Sequence, residues 1–179
     1  MHKEFVIREA KKEEFQELGQ LMVSVYSELD GFPKKNEQPK YYEMLANIGQ
    51  FSEKPSAKLL VAVAKSKILG GIVYFSDMAQ YGSGGIATQE KNASGFRLLA
   101  VDPAVRGMGV GKALTQTCVE LAQEKKHKQV ILHTTNAMKI AWKMYENLGF
   151  ERSFDLDFMQ EELQVFGFRL ILELSSSSF

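Results

Sequence analysis

Apolar positions recur along this chain with two different periods, and their alternation predicts a mixed α/β domain. Spacing of three and four residues is typical of amphipathic helices, whereas short apolar runs between turn residues are typical of buried strands. The helical pattern covers 15–29, 42–48, 110–122 and 140–148, and the strand pattern covers 5–8, 58–64, 68–75, 96–101, 129–134, 151–157 and 164–174. The tight turn after residue 64 predicts an antiparallel hairpin, and the order strand, helix, strand between 96 and 134 predicts a right-handed parallel βαβ unit.

Two segments lack this periodicity. The segment Ser76–Ser94 is rich in glycine, serine, alanine and glutamine. Loops of this length in compact domains are usually functional or disordered, so the segment is either an excursion without a role or a mobile wall of a binding site. The run Ser175–Phe179 is predicted to be a disordered tail, which leaves a single domain over 1–174.

A glycine-rich segment joins the strand at 96–101 to the next helix, and it predicts a phosphate-bearing ligand. It reads Arg106-Gly107-Met108-Gly109-Val110-Gly111-Lys112. Such a backbone can approach a ligand closely and direct several N–H groups at one anion, and the helix start adds its positive dipole end. The structural alternative is a glycine-rich turn that only lets the helix pack on the sheet.

The spacing within this segment excludes two common phosphate loops. A nucleoside-triphosphate loop would require glycine at 106 and a hydroxyl residue at 113, where Arg106 and Ala113 stand. The dinucleotide fingerprint G-x-G-x-x-G requires one more residue before its third glycine. A nucleotide-dependent enzyme is therefore a poor interpretation of this segment.

The spacing Arg-x-x-Gly-x-Gly, at Arg106, Gly109 and Gly111, resembles the pyrophosphate-binding motif of the GNAT superfamily of acyl-CoA-dependent N-acyltransferases. The flanking residues extend the resemblance over 96–154, and the order of elements extends it over the rest of the chain. The resemblance implies a three-layer α/β (α+β) fold. In that fold a mixed, mostly antiparallel, twisted sheet of about seven strands contains a central parallel βαβ unit and carries helices on both faces.

The resemblance also implies acetyl-CoA as co-substrate and indicates the residues that hold it. The pyrophosphate would lie against the main chain of 106–112, where a Cβ at any of the three glycines would crowd it, and the pantetheine arm would pair with the strand before. The implied cofactor-binding set is Leu99, Ala100, Val101, Arg106, Gly107, Met108, Gly109, Val110, Gly111, Lys112, Asn136 and Ala141. Asn136 is equally a candidate N-cap for the helix that follows it.

Tyr145 is the candidate general acid. It lies four residues before Gly149, and in the GNAT pattern a tyrosine at this spacing protonates the departing thiolate. A phenol with a pKa of about 10 is protonated at neutral pH and can donate to a sulfur. The structural alternative is a tyrosine that only packs in the core.

The sequence does not identify the general base. An alkyl amine with a pKa near ~10.4 must lose a proton before it attacks, yet Gly95 stands where many relatives carry glutamate. Glu90, Asp77 and Glu28 are unranked candidates, and a water chain is another. We expect direct transfer in a ternary complex, with a backbone N–H of the central strand polarising the acetyl oxygen. The missing acid motivates a second hypothesis, a non-catalytic module that binds acyl-CoA as a sensor.

Composition narrows the expected partners. Lysine and arginine number 22, aspartate and glutamate also 22, and no basic block interleaves with aromatics, so nucleic acid is a poor candidate. No apolar run approaches the ~20 residues of a membrane span, and Met1 begins no secretory signal pattern. The single Cys118 excludes an internal disulfide, and the histidines lack metal-ligand spacing. We therefore expect a cytoplasmic enzyme without a metal, acting on a small-molecule or peptide amine, with a homodimer as the family's common assembly.

Overall fold

A twisted sheet runs through the centre of the computed structural model, which describes residues 4–173. Its strands are β1 (Val6–Glu9), β2 (Ala57–Ala64), β3 (Lys67–Phe75), β4 (Ala93–Val101), β5 (Gln129–Thr134), β6 (Glu151–Arg152), β7 (Phe158–Gln160) and β8 (Leu163–Ile171). The order across the sheet is β1-β2-β3-β4-β5-β8-β6, and β7 pairs with β8 outside this path. Among the strands of the described residues, only β4 and β5 pair in parallel. The predicted mixed, mostly antiparallel sheet with a central βαβ unit is therefore confirmed.

Helices cover both faces of the sheet and enclose one apolar core on each. They are α1 (Phe15–Ser27), α2 (Pro39–Ala46), α3 (Val110–Glu124) and α4 (Lys139–Asn147). Leu18 and Met22 of α1 and Leu45 of α2 are fully buried in the first core. Leu114 and Cys118 of α3 are fully buried in the second, which also contains Tyr145 of α4. The helical periodicity of the sequence thus predicted the buried side of α1 and α3. In α4 the prediction is wrong for Ile140, which was expected on the inner side but is 79% exposed.

The predicted first helix extends too far at its C-terminal end. It was expected through residue 29, but α1 ends at Ser27. The Lys34 ammonium donates to the carbonyl oxygens of Ser27 and Leu29 at 2.9 and 2.8 Å. A cation on these carbonyls satisfies groups that the ended helix leaves without an intrahelical partner.

The predicted strand 151–157 is wrong beyond its first two residues. Only Glu151–Arg152 is a strand, and a single 3₁₀ turn follows at Phe154–Leu156. Leu156 of this turn is fully buried over Gly167. A Cβ added to Gly167 would lie 2.2 Å from the Cβ of Leu156. The turn packs across β8 instead of pairing with it, and the chain then forms the short strand β7, which brings the total to eight.

The unpatterned segment after β3 is packed against the sheet. It contains two 3₁₀ turns, Met78–Gln80 and Ala87–Gln89, and buries the side chains of Met78, Tyr81 and Ala87. Its predicted end is wrong by two residues, because β4 already begins at Ala93. The segment is therefore a packed part of the domain.

Two further expectations concern the C-terminal tail and membrane-spanning segments. The predicted tail 175–179, with residue 174, lies outside the described residues. Within 4–173, no helix is both long and apolar enough to cross a membrane.

Candidate active site

The two parallel strands separate shortly after they begin. β4 pairs with β5 only from Ala93 to Gly95. Leu98 then adopts a φ of +63°, and the pairing of β4 with β3 shifts register between Gly71 and Val73. A left-handed conformation is unfavourable for leucine, and such strain is concentrated at functional sites. Past Gly95, β4 diverges from β5, and from Leu99 to Val101 it has a free edge, meaning one that no neighbouring strand pairs with.

A cavity of about 1380 Å³ occupies the opening between the strands. It extends from the glycine-rich segment, past the free edge of β4, to helices α1 and α2. Single small-molecule sites are usually 300–1,000 Å³, so this cavity has room for a large cofactor and a second ligand.

The glycine-rich segment borders the cavity through its main chain. Gly107 and Gly109 have φ of +85° and +82°, and a Cβ on either would meet no protein atom within 4 Å. Gly111 differs, since its φ is not left-handed and a Cβ there would contact Val101 at an ordinary 3.5 Å. The left-handed backbone is sufficient to explain glycine at positions 107 and 109. Glycine at all three positions is explained only if a ligand lies beside this segment.

Ten of the twelve predicted cofactor residues line this cavity. They are Leu99, Ala100, Val101, Arg106, Gly107, Gly109, Val110, Gly111, Lys112 and Ala141. Met108 lies instead beside Phe5, in a small separate recess. Asn136 is exposed and does not border the cavity, and the N-cap of α4 is Met138 rather than Asn136. The expectation that Asn136 caps this helix is wrong.

Thr135 is a cavity residue that the sequence did not indicate. It follows β5 directly, is 4% exposed and lines the cavity. Its hydroxyl oxygen is buried without a hydrogen-bond partner among residues 4–173. Buried polar groups are normally satisfied, so this hydroxyl is available to a bound ligand. In the sequence, only its position directly after a predicted strand could have indicated that Thr135 lines the cavity. Its neighbour Asn136 was considered instead.

Tyr145 lies on the wall of the cavity below the glycine-rich segment. Its ring packs against Phe96 and Phe150, with centroid distances of 5.8 and 6.0 Å. Burial raises the pKa of Tyr145 above its ordinary value, so the phenol is protonated at neutral pH. Its hydroxyl makes no hydrogen bond to any residue in the described range 4–173.

The opposite wall is aromatic and is connected to β4. Tyr26 of α1 donates a hydrogen bond from its hydroxyl to the carbonyl oxygen of Leu99 at 2.9 Å. Its ring packs with Phe32 and Tyr41 at centroid distances of 5.5 and 6.1 Å. The wall therefore contacts β4 immediately after the bulge.

The space beside Gly95 is filled by side chains of the segment after β3. A Cβ on Gly95 would lie 2.8 Å from the ring of Tyr81 and from the sulfur of Met78. The Tyr81 hydroxyl lies 3.0 Å from Nδ1 of His133, and Nε2 of His133 lies 2.9 Å from the carbonyl oxygen of Leu156. Nε2 therefore donates to the carbonyl and Nδ1 accepts from the phenol. Burial lowers the pKa of His133, and both nitrogens have partners, so this histidine is not available as a base.

The three candidate bases are now distinguished by their positions. The Glu90 carboxylate pairs with Arg169 at 2.7 Å. The Asp77 carboxylate accepts from the backbone N–H of Ala79 at 2.9 Å. Neither borders the cavity, whereas Glu28 lies on its exposed rim. In the described part of the chain, no three histidine, cysteine, aspartate or glutamate side chains form a metal-binding group.

The chain is similar in sequence to known acetyltransferases. A profile of the acetyltransferase (GNAT) family matches residues 22–150. The N-acetylaspartate synthetase of Danio rerio is 30% identical over 109 residues, which is 60% of this chain and 35% of that protein. An uncharacterised N-acetyltransferase of Escherichia coli K12 is 38% identical over 73 residues, or 39% of this chain and 44% of that protein. The matched part thus spans less than half the length of each of these relatives.

Solved structures share the fold. An acetyltransferase of the GNAT family from Staphylococcus aureus Mu50 superposes with a TM-score of 0.73 at 20% identity, covering 94% of this chain and 99% of that one. The PaiA N-acetyltransferase of Thermoplasma acidophilum, solved in complex with coenzyme A, gives a TM-score of 0.69 at 13% identity, covering 91% and 97%. At such identities the likeness extends to the fold alone.

Proposed function

Because the chain belongs to the acetyltransferase (GNAT) family, we propose that it is an acetyl-CoA-dependent N-acetyltransferase. It would move the acetyl group to a primary amine of a small molecule or protein, by direct transfer in a ternary complex. One observation carries the proposal: the free edge of β4, the glycine-rich segment and Tyr145 all border the same cavity.

The residues around the cavity fit acetyl-CoA. Gly107 and Gly109 leave open space beside a main chain whose N–H groups lie at the start of α3, which suits a pyrophosphate. The free edge of β4 suits the amides of the pantetheine arm, since an extended ligand can pair with an exposed strand. The unpartnered Thr135 hydroxyl supplies a further polar contact. When bound, acetyl-CoA supplies an activated thioester.

Tyr145 would provide the proton that acyl transfer requires. The neutral acceptor amine would attack the acetyl carbon, and the carbon–sulfur bond would break as the phenol donates its proton to the departing sulfur. The extra proton of the new amide nitrogen would then restore the phenol, directly or through water. The protonated state of Tyr145 follows from its burial against Phe96 and Phe150. A backbone N–H near Leu98 would polarise the acetyl oxygen, because the bulge turns the main chain of β4 at this point.

The acceptor would enter from the side of α1 and α2. The relatives named N-acetylaspartate synthetases make, by their name, an acetylated amino acid, which supports a small-molecule amine. With Gly95 covered by Tyr81, the amine would lose its proton to water or to Glu28 at the rim. We place the reaction in the cytoplasm, whose reducing conditions suit the free Cys118.

A pair of charge-inserting variants tests the donor site. Gly109→Glu places a carboxylate inside the proposed pyrophosphate site, whereas Met108→Glu places the same charge one residue away, facing outside the cavity. Calorimetry should show that CoA binding is lost in the first variant and retained in the second. Equal binding by both variants and the wild-type protein would refute the proposed site.

The covered position 95 favours one alternative, a module that binds acyl-CoA without catalysis. Thiol release from acetyl-CoA, measured with amino acids, polyamines, aminoglycosides and peptide N-termini as acceptors, distinguishes the two functions. Turnover with any acceptor supports the enzyme. Tight CoA binding with no turnover across the panel supports the module.

A further inference from the structure

Arg97 lacks a carboxylate partner, unlike the other half-buried arginines within residues 4–173. Those pair as Arg8 with Glu14, Arg152 with Asp157 and Arg169 with Glu90, over 2.7 to 2.9 Å. The Arg97 guanidinium donates one hydrogen bond, from Nη1 to the carbonyl oxygen of Tyr81 at 3.1 Å, and no other to the described residues. A guanidinium carries five N–H donors, so most of its donors are available to a ligand.

Arg97 faces the side of β4 where the acceptor would enter. Side chains alternate along a strand, and Gly95, two residues earlier, faces Tyr81. Phe96 faces the opposite side, where its ring packs against Tyr145. Arg97 therefore lies across the strand from Tyr145 and on the same side as Tyr81, and it lines the cavity.

The groups around Arg97 are uncharged. Burial raises the pKa of Tyr26, of Tyr81 and of Tyr41, the last to about 12, and the neighbouring Arg97 charge offsets only part of this effect. Burial lowers the pKa of His133, on which Arg97 also acts. The acidic residues at the cavity rim, Glu28 and Asp30, are exposed, and neither forms an ion pair with Arg97.

A partly desolvated cation without a counter-ion is costly unless an anion binds to it. We propose that Arg97 binds a carboxylate of the acceptor, so that the acceptor is a free amino acid or a similar amine with its carboxylate close to the amino nitrogen. The planar guanidinium can present two parallel N–H groups to such a carboxylate. This inference rests on the proposed transferase function and narrows its acceptor.

The position of Arg97 in the strand is consistent with this role. Arg97 directly precedes Leu98, which lies in the stretch where β4 no longer pairs with β5 and beside which transfer would occur. A carboxylate bound by Arg97 would therefore lie on the acceptor side of the proposed transfer site. Polyamines and aminoglycosides, which carry no carboxylate, would leave the guanidinium without an anion.

Matched acceptor pairs test the proposal. Each pair consists of an amino acid and the carboxylate-free amine formed by removing its α-carboxylate, such as histidine and histamine, tyrosine and tyramine, or phenylalanine and phenethylamine. We expect the wild-type enzyme to prefer the carboxylate-bearing member of the pairs it acts on, by about 10- to 100-fold in kcat/KM, as for a hydrogen-bonded charged group.

Variants at position 97 separate binding from structural support. Arg97→Gln should raise KM for the amino acid by about 10- to 100-fold and leave KM for the decarboxylated amine and the Kd for CoA unchanged. Arg97→Lys, which keeps the charge but not the planar fork, should fall between. Lys40→Gln removes an exposed cation at the same cavity and should leave the preference within each pair intact.

Several outcomes would overturn the proposal. The first is equal turnover of both members of every active pair. The second is an Arg97→Gln variant whose KM for the amino acid is unchanged. The third is an Arg97→Gln variant that has a weakened affinity for CoA instead of a raised KM. All three leave the transferase function standing. If no acceptor is turned over, calorimetry of amino-acid binding to the CoA-loaded protein decides: binding that Arg97→Gln abolishes retains the carboxylate site, and absence of binding rejects it.

Discussion

The ring of Tyr81 packs directly on Gly95, so closely that a Cβ on this glycine would lie 2.8 Å from it. Tyr81 is fully buried and is held by a hydrogen bond between its hydroxyl and His133. The segment after β3 thus fills the space that a side chain at position 95 would need. Position 95 therefore has no acid in the sequence, and the packing around it leaves no room for one.

Introducing a glutamate at position 95 should therefore lower the free energy of unfolding. Gly95→Glu must displace Tyr81, and overpacking of this kind costs about 1–3 kcal/mol. Denaturant unfolding should show that loss in the single variant and a smaller loss when the substitution is introduced beside Tyr81→Ala. An additive double-mutant cycle would contradict the contact.

Tyr145→Phe should reduce kcat by about 100-fold or more, in the range of general acid catalysis, without weakening CoA binding. Burial raises the pKa of Tyr145 above its ordinary value of 10, so the proton stays on the phenol throughout the neutral and mildly alkaline range. The wild-type kcat should consequently not fall as pH rises from 7 to about 10. A pH–rate profile of both proteins measures these effects, and full activity of the variant would exclude Tyr145 as the acid.

Alanine should have opposite effects on stability at two glycines of the same segment. Gly109 has φ +82°, so Gly109→Ala should lower the free energy of unfolding by about 1 kcal/mol. Gly111 lies in α3 with room for a Cβ, so Gly111→Ala should leave stability unchanged or raise it by up to about 1 kcal/mol. CoA affinity should fall in Gly109→Ala, whose Cβ enters the open space of the proposed pyrophosphate site, and should fall less in Gly111→Ala, whose Cβ would contact the Val101 side chain. Thermal unfolding and calorimetry together give the two readouts.

Glu14 should make acid stability depend on one ion pair. Arg8 donates two hydrogen bonds of 2.9 Å to its carboxylate, and this contact lowers the pKa of Glu14 to about 2. Because the folded pKa lies below the unfolded value, the carboxylate stabilises the fold above pH about 5, and this contribution is lost as the pH falls towards 2. Glu14→Gln should cost no more than about 1 kcal/mol at pH 7, because solvent screens this partly exposed pair. The difference should vanish near pH 2, while the exposed Glu13→Gln should have little effect throughout.

The placement of strands and helices was largely readable from the sequence, because it depends on local periodicity. The strand Gln129–Thr134 was predicted to the residue, and the burial of Leu114 and Cys118 followed from helical spacing. The prediction failed at 151–157, where the burial of Leu156 over Gly167 replaces strand pairing by a turn. That contact joins distant segments, so no local pattern contained it.

By itself, the sequence determined the family, the mixed sheet and the glycine-rich segment, since all three depend on residue types at short spacings. The tertiary structure alone decided which residues share the cavity: it brings in Thr135 and Arg97 and leaves out Met108 and Asn136. It also decided that Tyr81 covers Gly95 and that Arg97 has no carboxylate partner within residues 4–173. Such facts arise when strands and loops far apart in the chain pack together, because side-chain contacts and burial, unlike periodicity, are properties of the folded molecule.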